Sequence, residues 1–99
     1  MKFHITNEGS VTWFCPGCDE YHMAHVAPAP DGRKRPVWTW NGDVEKPTLS
    51  PSVRVTGGKA SGGTTCHVFI RDGKIQFLGD CSHALAGKTI DVPDWEAML

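Results

Sequence analysis

Apolar and polar residues along this chain alternate in short runs, with the two-residue period of a strand rather than the 3.6-residue period of a helix. Lys2–Thr6 places Phe3 and Ile5 on one face and His4 on the other. Asn7-Glu8-Gly9-Ser10 reads as a turn, and Val11–Phe14 as the strand that returns from it. Val37-Trp38-Thr39-Trp40 puts two indoles on one strand face and leads into Asn41-Gly42, a favoured tight-turn pair. Lys46–Ser52 carries Pro47 and Pro51, each lacking a ladder donor, so an extended edge segment leading into Val53-Arg54-Val55 is expected there. Pro28–Pro36, with Arg33-Lys34-Arg35, reads as an exposed loop, and Gly57–Gly63 as a flexible one.

The strongest pattern is a hairpin over Cys66–Gly79. Asp72-Gly73 between two β runs suits a type I′ turn, in which both central residues need φ > 0. A two-residue loop pairs Arg71 with Lys74, and therefore Ile70 with Ile75, Val68 with Phe77 and Cys66 with Gly79. These side chains share one face, where Cys81 also falls if the alternation continues. His67, Phe69, Leu78 and Asp80 fall on the other. Ser82–Ala86 reads as one helical turn capped by Ser82 and stopped by Gly87, Lys88–Val92 as a last strand, and Asp94 as the cap of a short final turn.

Composition sharpens this into a class. Eleven glycines and seven prolines in 99 residues disfavour helices, so the fold class predicted is β-rich, all-β or α+β, in one small antiparallel-sheet domain spanning residues 1–99. No apolar run approaches the ~20 residues of a membrane span, and the first residues turn polar at once. A cytoplasmic protein without a secretory signal is therefore expected. The net charge of −1 argues against a nucleic-acid partner, although Arg33-Lys34-Arg35 near Trp38 and Trp40 keeps single-stranded nucleic acid as an alternative.

Four cysteines carry the chemistry. Cys15-Pro16-Gly17-Cys18 has the spacing of a zinc knuckle, in which backbone N–H groups point at two thiolates. The same spacing occurs in thioredoxin-like dithiols, but there it opens a long helix in a βαβ unit, and no such pattern follows here. His22 and His25 lie too close to the knuckle for the usual loop between ligand pairs. The hairpin register makes Cys15, Cys18, Cys66 and Cys81 the tidiest closed zinc set, with His67 and His83 as alternative ligands. A second constellation is His67, Asp80 and His83, two imidazoles and a carboxylate suited to an open catalytic zinc. No Ser-His-Asp arrangement is legible from residue order.

Several segments together carry a resemblance: Phe14-Cys15-Pro16-Gly17-Cys18 with His22, Trp40-Asn41-Gly42, Pro47–Ser52, Cys66-His67, and Asp80-x-x-His83-x-Leu85-Ala86-Gly87. They resemble a small phage and prophage zinc-binding family of unassigned function, sometimes labelled ammonia monooxygenase. Its longer relatives sit beside bacterial ubiquitin-like conjugation genes. The resemblance implies metal ligation by Cys15 and Cys18 and importance for Cys66, His67, Asp80 and His83, with Cys81 less typical of the pattern. Three functions are carried forward. The chain is a zinc-stabilised binding protein that modulates a host or phage protein, a peptidase-like zinc hydrolase using His67, Asp80 and His83, or a nucleic-acid binder.

Overall fold

In a computed structural model, which describes residues 1–7, 9–27, 37–56 and 65–98, eight strands follow one another. They are β1 (His4–Ile5), β2 (Ser10–Cys15), β3 (Glu20–His25), β4 (Thr39–Trp40), β5 (Leu49–Thr56), β6 (Thr65–Arg71), β7 (Lys74–Phe77) and β8 (Thr89–Asp91), and a 3-10 turn closes the chain at Trp95–Met98. The strands form two antiparallel sheets, β1-β2-β3 and β4-β5-β6-β7-β8. A single parallel bridge between Val26 and Trp38 links the segments on either side of residues 28–36. The predicted β-rich class is the observed one. Arg33-Lys34-Arg35 and Gly57–Gly63 lie outside the described residues. Among the described residues no helix is long and apolar enough to cross a membrane.

The buried faces of both sheets share one core. Trp13, Phe3, Phe77, Leu49, Ile70 and Ile75 are its largest fully buried side chains, each contributing roughly 1.5–3 kcal/mol through burial. Phe3 stacks on Trp13 at 5.4 Å and meets Trp40 at 6.3 Å, which ties the small sheet to the larger one. The paired tryptophans are therefore packing residues: Trp38 and Trp40 lie against this core, and the Trp38 indole donates to the Ser52 carbonyl at 3.1 Å.

The β6–β7 hairpin has the predicted register, with Ile70 opposite Ile75, Val68 opposite Phe77 and Arg71 opposite Lys74. Asp72 and Gly73 both take positive φ, at 49° and 78°. The ladder then ends. Leu78 N–H still reaches the His67 carbonyl at 2.9 Å, but Cys81 N–H folds back to Leu78 O at 3.2 Å, so Cys66 and Gly79 do not pair. The expected helical turn over Ser82–Ala86 is an irregular turn instead. The Ser82 side chain is spent on Thr65, accepting from its N–H at 2.8 Å, and cannot cap.

Two segments depart from the sequence reading. Glu20–His25, to which the sequence reading assigned no element, forms β3, and the cysteine knuckle becomes the turn of the β2–β3 hairpin, with Cys15 opposite Glu20. Leu49–Thr56 is an interior strand between β4 and β6, not an edge. Pro51 is tolerated because the β5–β6 register shifts: Leu49 pairs with Ile70 and Val53 with Val68, so Ser50, Pro51 and Ser52 face Phe69 alone. A bulge of this kind leaves residues outside the ladder, where a proline removes no needed donor. The Ser50-Pro51 peptide is cis.

Candidate functional site

Alternation along β6 sorts its residues to two sides. Cys66 points inward and is 1% exposed, whereas His67 points outward and is half-buried. Each side assembles its own constellation.

On the inward side, Cys15, Cys18, Cys66 and His83 each place a ligand atom so that all four lie within 4.8 Å of one another. The knuckle turn supplies two, β6 the third, and the turn after Cys81 the fourth. None of the four cysteines forms a disulfide. His83 stands edge-on to Phe77 at 4.9 Å, with the Leu85 N–H 3.2 Å from Nδ1 fixing the plane of its ring, and its Nε2 is buried without a hydrogen-bond partner. The ring lies over Gly17, where a Cβ would come 2.4 Å from His83 Cε1. This glycine is needed for close approach, and any side chain there would push the imidazole away.

The thiols show what a cation would relieve. Cys15 and Cys66 sulfurs are 3.7 Å apart, and the hydrogen bond from Cys66, assisted by His22, lowers the Cys15 thiol to about 4 against the effect of burial. Burial, then the charge on Cys15, raises Cys18 to about 11. Cys66 is driven well above the usual thiol range by its hydrogen bond to Cys15 and then by burial. Ionisation of Cys15 thus opposes that of Cys18 and Cys66, and a bound metal would let all three ionise. Three sulfurs, one imidazole, an orphaned buried nitrogen and a glycine cradle fit a four-coordinate metal site. A second set, Cys18, Glu20 and His22, shares Cys18, and His22 Nε2 is also buried without a partner.

On the outward side, Ser52 Oγ lies 3.0 Å from His67 Nε2, and His67 Nδ1 lies 3.1 Å from Asp80 Oδ2 and 3.3 Å from Oδ1. An ionised carboxylate only accepts hydrogen bonds, so the network assigns the ring proton to Nδ1 and leaves Nε2 to accept from the Ser52 hydroxyl. Ser52 is set by the bulge, whose flanks are fixed by the Thr39–Ser50 pairing and by the Trp38 indole on the Ser52 carbonyl. His67 is held from behind by Cys81, whose Sγ accepts from His67 N–H at 3.3 Å and donates to His67 O at 3.2 Å. Asp80 sits in the turn that Cys81 closes.

The residues predicted for a site are therefore divided. Among the described residues Cys81 does not join Cys15, Cys18 and Cys66, because the chain turns at Gly79 and the strand alternation does not carry it to their side. His83 takes that place. His67 and Asp80 do meet, but His83 is in the sulfur set and their third partner is Ser52, which the sequence reading did not single out.

A family model described as the bacterial ubiquitination-like system serine protease (BubE) matches residues 1–78, and the chain belongs to that family. The match includes Cys15, Cys18, Ser52, Cys66 and His67 and stops two residues before Asp80. It supports the expected link to bacterial ubiquitin-like systems. No curated protein and no solved structure matches the chain.

Proposed function

We propose that this protein is a serine peptidase of a bacterial ubiquitination-like system, with Ser52 as nucleophile, His67 as general base and Asp80 as its orienting carboxylate. The observation that carries the reading is the unbroken relay Ser52 Oγ–His67 Nε2 and His67 Nδ1–Asp80, at 3.0 and 3.1 Å. Such a triad is identified by geometry and role, not by order in the chain, and here the order is Ser, His, Asp. Membership of a family described as serine proteases supports the same chemistry.

In the acylation step Ser52 Oγ bonds to the scissile carbonyl carbon while its proton passes to His67 Nε2. Asp80 holds the opposite ring N–H and stabilises the imidazolium. His67 then gives the proton to the leaving amine as the acyl–nitrogen bond breaks. Water, deprotonated by the same imidazole, hydrolyses the acyl-Ser52 ester and restores the hydroxyl. Ser52 and His67 are partly exposed and Asp80 is exposed, as a peptide-binding surface requires.

Cys15, Cys18, Cys66 and His83 would hold zinc, the metal that three thiolates and an imidazole favour. A closed set of four protein ligands supplies a cross-link, not a bound water. Its place in the chain makes that cross-link matter to the triad, since Cys66 precedes His67 and His83 follows Asp80 by three residues. The alternative of an open zinc on His67 and Asp80 is weaker, because Ser52 fills the position beside His67 that a metal would need. A host or phage protein as partner enters this reading as the substrate. A reactive fluorophosphonate should label the reduced, metal-loaded protein at Ser52, and Ser52→Ala should abolish labelling and lower peptide or ester turnover by up to about 10⁶-fold. Turnover that survives Ser52→Ala would overturn the assignment.

A further inference from the structure

The surface around Ser52 is unevenly charged. Along the outward positions of β5 and β6 there are two arginines, Arg54 and Arg71, and no acidic residue. Arg71 lies over the Phe69 ring at 4.2 Å and is committed to that contact. Arg54 is exposed, sits directly opposite His67 in the β5–β6 ladder, and among the described residues has no carboxylate within ion-pair distance. Asp80 is paired with His67. Among the described residues no carboxylate pairs with this cation, which stands beside a nucleophile and its base and is open to an anionic group.

The position also suits a substrate. Arg54 is two residues beyond Ser52 on an extended strand, a displacement of about 6.6 Å, and it points to the same face. A guanidinium there reaches a substrate group one or two residues from the scissile bond. It presents a planar pair of donors matched to a carboxylate.

Building on the serine-peptidase reading, we infer that Arg54 is the specificity-determining residue of this site and that it selects substrates bearing a carboxylate beside the scissile bond. That carboxylate is either an acidic side chain on the acyl side or a carboxylate, including a chain end, on the leaving-group side.

Three ester probes test this with the metal-loaded protein. 4-Nitrophenyl valerate is neutral, mono-4-nitrophenyl glutarate carries a carboxylate at nearly the same place in its acyl chain, and 3-acetoxybenzoate carries one on its leaving group. The wild-type protein should turn over one anionic ester with a kcat/KM that falls about tenfold in Arg54→Gln, mainly through KM. Valerate turnover should not change, and Arg54→Lys should restore part of the loss. The anionic ester that responds identifies the side on which the carboxylate sits. Equal effects of Arg54→Gln on all three esters, no effect on any, or an equal loss in Arg71→Gln would overturn the assignment of Arg54. In each of those cases Ser52-dependent turnover would leave the peptidase reading standing. Absence of Ser52-dependent turnover of every ester would sink both.

Discussion

The two sides of β6 make opposite demands on adjacent residues. Cys66, 1% exposed, belongs to a buried cluster in which thiols crowd one another and a metal would be enclosed by protein. His67, with a quarter of its side chain exposed, belongs to a hydrogen-bonded relay open to solvent. A two-residue period lets one strand serve both, so a site that needs exclusion of water and a site that needs access to it are separated by a single peptide bond. A metal on the inward side would make it a scaffold for the outward one, since the candidate ligands Cys66 and His83 are carried by the same two segments that carry His67 and Asp80.

Stripping the metal breaks this comparison most severely. Structural zinc contributes about 10–16 kcal/mol of apparent free energy in small zinc peptides, as much as the whole net stability of a typical domain. Reduced protein should contain one zinc per chain, and a strong chelator should unfold it or lower its melting temperature by tens of degrees, with loss of hydrolysis as a consequence. Binding displaces thiol protons, so removal should become easier as pH falls. A melting temperature unchanged after the metal is shown to be gone would mean that the inward side is not the scaffold.

Asp80→Asn acts on the outward side alone. The amide can leave His67 in the wrong tautomer, with the proton at Nε2 where Ser52 needs an acceptor, and kcat should fall by about 10⁴-fold. Asp80 is exposed and lies outside the sulfur cluster, so metal content and melting temperature should hold. Loss of metal together with activity in this variant would show that the two sides are not separable in the way the alternation implies.

How much of this could be read in advance depends on the range of each interaction. The hairpin at Asp72-Gly73 was legible because a two-residue turn sets register locally, and the cysteine knuckle because its two thiols are three residues apart. Cys81 and His83 are not distinguishable in the sequence, because strand alternation ends at Phe77 and the chain beyond it turns rather than extends. Ser52 was invisible for a different reason. Its partnership with His67 follows from a register shift between β5 and β6 over Ser50–Ser52, and Pro47 and Pro51 read, in isolation, as marking a segment excluded from the sheet interior. The non-local pairing that makes the triad leaves no periodic trace in either strand.

The finest probe of the comparison is Gly17→Ala, which changes neither a ligand nor a member of the triad. An ideal Cβ at Gly17 falls 2.4 Å from His83 Cε1 and 2.6 Å from both ring nitrogens, so the imidazole must move. It has little freedom to do so, with Phe77 edge-on to the ring and the Leu85 N–H against Nδ1. Overpacking of this kind costs about 1–3 kcal/mol, and a displaced ligand typically lowers metal affinity by about 10–100-fold. Competition with a chromogenic chelator should register that loss, while kcat at saturating zinc stays within a few-fold of wild type because Ser52, His67 and Asp80 are untouched. If instead affinity is unchanged, His83 is not a ligand and the sulfur set must close through another group, for which buried His22, beside Cys18, is the next in reach.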